Sequence, residues 1–135
     1  MMKKKLNCIL LVDDDNACNY YHRRLLKELD CTESIEVATD GRMALDFIKS
    51  RKNRPDIIFL DINMPKMDGW EFLTEYETLS EDDKATTVIA MVTSSLNPDD
   101  KLKSESFSSV KGFNSKYLDE ETIDKILRRD FADHF

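Results

Sequence analysis

Hydrophobic positions along this chain follow two rhythms: short unbroken apolar runs, and longer stretches in which apolar residues return every three or four places. The run Cys8 to Val12 reads as a strand buried on both faces. Behind it Cys18, Tyr21, Leu25 and Leu29 recur at helical spacing, with Asp15 or Asn16 placed to cap the helix start. Ile35 to Thr39 is β-branched and alternating, a second strand closed by the turn pair Asp40-Gly41. Ala44, Phe47, Ile48 and Arg51 mark the next helix, and Pro55 precedes a third strand whose apolar run Ile57 to Leu60 ends on Asp61. Gly69 leads into a helix with Phe72, Leu73, Tyr76 and Leu79 on one stripe, followed by an acidic loop from Ser80 to Thr86 and a strand from Val88 to Thr93.

Asn97-Pro98-Asp99-Asp100 predicts a helix start: a capping side chain, Pro at the first position, and acids on the positive end of the dipole. That helix is thinly apolar, with Leu102, Phe107 and Val110 available for burial, and is expected to be loosely held. Gly112 and Phe113 open a polar fifth strand ending at Lys116, and Ile123, Ile126, Leu127 and Phe131 predict a closing helix. Five strands alternating with five helices imply an α/β fold with a doubly wound parallel sheet, covered on both faces through right-handed crossovers. The expected strand order is 2-1-3-4-5, a flavodoxin-like three-layer sandwich. In that order the C-terminal ends of the first and third strands flank the switch point where ligands collect. Those ends are Asp13-Asp14-Asp15 and Asp61.

The 135 residues fit a single domain, 1–135, with no room after Lys116 for an output domain. Composition narrows the partners. Hydrophobic residues make up 41% and charged residues 35%, with a formal net charge of −7. Nucleic-acid binding needs Lys and Arg to displace condensed counterions, so this balance opposes it and favours a cation or a basic protein surface. The opening MMKKKL has the charge of an export signal, but the apolar run behind it is too short and meets three aspartates. No stretch approaches the length of a membrane span, so a cytoplasmic protein is expected. Three cysteines without CxxC spacing support neither disulfides nor zinc, and Cys8 reads as a small buried hydrophobe.

The strand ends carry the chemistry. Asp13, Asp14 and Asp61 would meet at the switch point, where carboxylates about 4 Å apart repel by roughly 4 kcal/mol at an effective dielectric near 20. A divalent cation relieves that repulsion, and an open, all-oxygen donor set suits Mg²⁺ better than zinc. The fourth strand ends at the hydroxyl of Thr93, followed by Ser94 and Ser95, and the fifth at the ammonium of Lys116. An acid cluster, a metal, a hydroxyl and a lysine around a central carboxylate are the parts that phosphoryl transfer to a nucleophilic aspartate requires. Asp15 reads only as a helix cap, His22 as a surface or partly packed side chain, His134 as part of a fraying terminus, and Lys3 to Lys5 as a solvated tail. Trp70 reads as packing or a surface contact.

The segments LLVDDD, DIIFLDINMPKMDG, VIAMVTSS and GFNSK, in this order and spacing, resemble the response-regulator receiver domain of two-component phosphorelays. The resemblance runs through nearly the whole chain and is nearest to stand-alone, chemotaxis-regulator-like receivers. It implies that Asp61 is the phospho-acceptor, that Asp13 and Asp14 serve Mg²⁺, and that Asn63 lends the metal its backbone carbonyl. Thr93 would be the switch hydroxyl, Lys116 the phosphate-contacting lysine, and Phe113 an aromatic rotamer switch. A histidine kinase or histidine phosphotransfer domain would donate, and the fourth helix, fifth strand and fifth helix would change state toward a downstream protein, with the chain a monomer or weak dimer. Two features depart from the family. Tyr117 stands where Pro follows the lysine through a cis bond; a cis non-proline bond costs about 3–4 kcal/mol, so trans is expected unless strain at the site retains cis. Asn114-Ser115 makes the last strand polar. Competing readings are a phosphorylation-independent scaffold, an aspartate-nucleophile phosphatase (disfavoured by Asn63 where such enzymes carry a second acid) and a flavodoxin-like cofactor carrier, which lacks a phosphate loop after the first strand.

Overall fold

The structure is a computed structural model that describes residues 2–84, 87–94 and 96–135; Ala85, Thr86 and Ser95, placed above in the acidic loop and after the fourth strand, lie outside it. Five strands, β1 (Leu6–Val12), β2 (Thr32–Ala38), β3 (Ile57–Asp61), β4 (Val88–Thr93) and β5 (Val110–Ser115), pair in parallel in the order β2-β1-β3-β4-β5. The order is the one the sequence predicts. The three central strands are apolar on both faces because both faces are covered. Leu10, Val12, Ile58 and Leu60 face one layer, and Ile9, Leu11, Ile57 and Phe59 the other.

Helices α2 (Gly41–Ser50) and α3 (Gly69–Glu77) cover the first face with Ala44, Leu45, Ile48, Phe72, Leu73 and Tyr76. Helices α1 (Asn16–Leu29) and α6 (Glu120–Asp130) cover the second with Leu26, Ile123, Ile126 and Leu127. Asp15 caps α1 through the Ala17 and Cys18 amides, as expected, and Asp68 with Glu71 forms a capping box on α3. A short helix α4 (Glu81–Lys84) replaces the acidic loop; the Ser80 hydroxyl accepts from the Asp83 amide and starts the turn. The chain ends meet below β1, where the Lys3 and Lys4 amides donate to the His134 carbonyl. His134, in a 3₁₀ turn (Ala132–His134), is thus tied to the start of the chain rather than frayed.

Two expectations about burial are corrected. On α1 the buried residues are Cys18, Asn19, His22 and Leu26, while Tyr21 is 44% exposed. The stripe is rotated by about one residue because His22, at 4% exposure, finds a hydrogen-bond partner inside, which removes the penalty for burying it. On α5 (Pro98–Glu105) Leu102 is 67% exposed, and the only buried residue of that helix is Ser104. Contact with the core comes instead from Phe107, just past the helix, which stacks on Trp70 of α3 at 6.2 Å, and from Lys103, whose ammonium lies 4.7 Å from the Trp70 ring centre. The helix meets the core through fewer apolar groups than its sequence offered.

Gly69 shows how tightly α3 seats on the sheet. A Cβ added there would lie 2.6 Å from the Asp61 carbonyl oxygen and 3.0 Å from Ile62 Cα, both backbone atoms. The Gly69 amide donates to the Ile62 carbonyl at 2.8 Å, so the close approach fixes the loop after Asp61. Gly69→Ala is expected to destabilise the fold by about 1–3 kcal/mol despite the better helix former. Gly112→Ala, whose added carbon meets only the movable ends of Arg129 and Asn114, should stay within about 0.5 kcal/mol of wild type. Denaturant unfolding of the two variants measures the contrast.

Candidate functional site

Each candidate side chain leaves the C-terminal end of a strand or the residue beside it, so the parallel register gathers them at one edge of the sheet. Asp13 follows β1, Asp61 ends β3, Thr93 ends β4 and Lys116 follows β5. Carboxylate oxygens of Asp13, Asp14 and Asp61 all lie within 4.8 Å of one another; Asp13 and Asp61 are buried and Asp14 is exposed. Lys116 reaches in from the far strand, its Nζ 2.9 Å from Asp13 Oδ2 and 4.0 Å from Asp61 Oδ2. Thr93 is buried, and its carbonyl accepts the Lys116 amide at 2.8 Å. Asn63 is exposed in the loop after Asp61, and Phe113 is half-buried on β5 against the α2–α3 side of the core.

The charges are unbalanced. Among the described residues three acids gather where Lys116 reaches two of them, and two like charges 4.8 Å apart repel by roughly 3 kcal/mol at an effective dielectric near 20. Burial, followed by the charge of Asp13, pushes the Asp61 carboxyl up to about 6, against the opposing pull of Lys116. Burial also works against the Lys116 charge, but the hydrogen bond and charge of Asp13, joined by Asp61, outweigh it and hold that ammonium above its ordinary value. A cluster of oxygen donors that is short of positive charge and open through Asp14 fits a hard divalent cation of the magnesium class. The arrangement is the acidic triad typical of a receiver Mg²⁺ site.

Asp13 is itself held in place. Its Oδ1 accepts the Asp15 amide at 2.9 Å, and its backbone carbonyl accepts Asn19 Nδ2 at 2.8 Å. The Lys116-Tyr117 peptide bond is cis, which corrects the trans bond expected. The segment is anchored on either side of it, by the Lys116 amide on Thr93 and by the Leu118 amide, which donates to His22 Nε2 at 3.0 Å. His22 was the residue most misjudged from sequence. Burial lowers its pKa to about 4, with the charges of Asp13 and Lys116 acting in opposite senses, so the ring is neutral near pH 7. The signal available was the spacing Cys18, His22, Leu26, four residues apart, which lines one helix face.

A groove of about 670 Å³ bordered by Met2, Leu29, Leu127 and Phe135 is lined by none of these site residues. Among the described residues no helix is long and apolar enough to cross a membrane. All three cysteines are buried and free, Cys8 as a small core residue.

The response regulator receiver domain family matches residues 9–128. The chain is similar to the probable methanogenesis regulatory protein FilR2 of Methanothrix harundinacea, 32% identical over 123 residues that cover 88% of this chain and 77% of that one. It is 43% identical over 74 residues to the response regulator MprA of Mycolicibacterium vanbaalenii, covering 55% of this chain and 30% of MprA, so it spans less than a third of that relative. Among solved structures, a two-component response regulator from Cytophaga hutchinsonii superposes with a TM-score of 0.86 at 27% identity, covering 96% of this chain and 99% of that one. The chemotaxis response regulator CheY4 of Vibrio cholerae gives 0.75 at 30% identity, covering 93% and 99%. With the family spanning nearly the whole chain and its acid cluster assembled at the predicted strand ends, the chain belongs to the response regulator receiver domain family of two-component signalling, a phospho-accepting signal domain rather than a classical enzyme.

Proposed function

We propose that Asp61 is the residue that accepts the phosphoryl group, donated by a phosphohistidine on a histidine kinase or histidine phosphotransfer domain. The observation that carries this reading is the convergence of Asp13, Asp14 and Asp61 within 4.8 Å, with the Lys116 ammonium set between Asp13 and Asp61. A carboxylate oxygen of Asp61 attacks phosphorus, the P–N bond to the donor imidazole breaks, and the electron pair leaves with the imidazole. Asp13, Asp14, Asp61 and the Asn63 carbonyl would hold Mg²⁺, which when bound neutralises the acids and polarises the phosphoryl oxygens. Lys116 exchanges its carboxylate contact with Asp61 for one with a phosphoryl oxygen.

The product carries about two negative charges where one stood before. The Thr93 hydroxyl follows them, and Phe113 takes up the space that Thr93 vacates. This biases an existing equilibrium of α5, β5 and α6 toward the form that a downstream protein recognises. The sparse attachment of α5 supports that choice of moving part, since switching elements come from the low-stability end of a fold. Residues 1–135 act in this reading as one receiver domain in the cytoplasm, a monomer or weak dimer that signals by docking; the charge of −7 disfavours nucleic acid as its direct target.

Incubation with acetyl phosphate and Mg²⁺ is expected to add one phosphate to the wild type, read by intact mass, and none to Asp61→Asn or to wild type in excess chelator. Equal uptake by Asp61→Asn would refute the assignment. The raised Asp61 pKa gives a second expectation. The folded state holds this proton up to about pH 6 and the unfolded chain releases it near its ordinary value of 3.8, so stability falls as pH rises between the two. In chelator at about pH 7, Asp61→Asn should therefore be more stable than wild type by roughly 2 kcal/mol, and the difference should vanish below about pH 4. Thermal unfolding of both proteins across that range decides it.

A further inference from the structure

We infer that His22 is a positioning residue for phosphoryl transfer: its neutral ring ties helix α1 to the segment that carries Lys116 and so fixes where that ammonium stands. The inference rests on the phospho-acceptor reading of Asp61 and adds a residue to it.

The contacts tie helix α1 to the lysine segment at two points, His22 on Leu118 and Asp13 on Lys116. His22 Nε2 accepts the Leu118 amide at 3.0 Å, so in the neutral ring the proton sits on Nδ1. Nδ1 lies 3.5 Å from Cys18 Sγ, one turn back on the same face of α1, and can donate to it. The Cys18 thiol is buried within reach of the charge of Asp13, which adds to burial in raising its pKa. Asp13 Oδ2 holds Lys116 Nζ at 2.9 Å, and Lys116 leads through Tyr117 back to Leu118. Cys18, His22, Asp13 and Leu118 are all buried, so water does not compete for these bonds. The ammonium is held at its tip by Asp13, and the backbone that carries it is held by Thr93 on one side and by His22 on the other. Loss of the ring acceptor would orphan a buried amide and free the segment. A displacement of about 1 Å in a group that stabilises transferring charge can lower a rate by up to about a hundredfold.

The opposing view is that His22 merely fills the space between α1 and α6. That role would lower stability without regard to Lys116, whereas a positioning role acts through Lys116 and disappears when its ammonium is gone. The test is a double-mutant cycle on the rate of phosphorylation by acetyl phosphate at saturating Mg²⁺, with His22→Leu, Lys116→Ala and the pair in the full chain. His22→Leu is expected to slow the wild-type rate about tenfold. In the Lys116→Ala background it should change the rate by less than about twofold. His22→Gln, which can present an acceptor to the Leu118 amide, should recover most of the rate, and it remains informative if the leucine variant does not fold. Nitrogen NMR of wild type should show His22 protonated on Nδ1 alone. A His22→Leu rate equal to wild type, an equal loss in both backgrounds, a His22→Gln rate no better than that of the leucine variant, or a proton on Nε2 would each overturn the positioning role while leaving Asp61 as acceptor. A wild type that takes up no phosphate would overturn both.

Discussion

The architecture turns on holding like charges together. Asp13 and Asp61 are buried, with the exposed Asp14 beside them, and the Lys116 ammonium reaches Asp13 and Asp61. Left to relax, such a group would splay apart or take up protons. It answers in part by the second route, burial and the charge of Asp13 raising the Asp61 carboxyl to about 6, and it does not splay because the backbone leaves little freedom. β1 and β3 are adjacent and in register, so their ends cannot separate without breaking the middle of the sheet. The Asp13 carboxyl and carbonyl are both engaged by the start of α1, and the backbone of Asp61 lies under Gly69. The repulsion is thus stored in a rigid frame, and it makes the cluster receptive to a cation and then to a phosphoryl group.

That frame is assembled from a simple sequence pattern. Unbroken apolar runs identify strands that are sandwiched on both sides, and the alternation of strand and helix limits the connections to right-handed crossovers. Once the order is set, the strand ends are neighbours by construction. For this reason Asp13, Asp14, Asp61, Thr93 and Lys116 were legible before any coordinates: topology brings them together, and no fine packing detail is involved. The cap at Asp15 and the start of α5 at Asn97 were equally plain, because capping is local chemistry.

Features that depend on distant partners were not legible. Helical spacing runs the buried stripe of α1 through Tyr21, yet His22 lies inside and Tyr21 is exposed. The deciding fact is an amide ninety-six residues away, and no window on the helix contains it. The same holds for Leu102, whose apolar side chain is mostly exposed, while the contact falls to Phe107 and Trp70. The geometry at Tyr117 belongs to this class too, since it sits between backbone anchors on β4 and α1. Propensity and periodicity describe a residue's own element; burial of a polar group is decided by what arrives from elsewhere.

One last property follows from the meeting of the two termini. The Lys3 and Lys4 amides on the His134 carbonyl bring the chain ends together at the base of β1, one strand length from the carboxylates at its tip. A tether, fluorophore or fused partner joined at either extremity therefore emerges on the side remote from the reaction centre and leaves the approach to it unobstructed. The same adjacency suits the fold to circular permutation, because a short bridge between the old ends would span little distance.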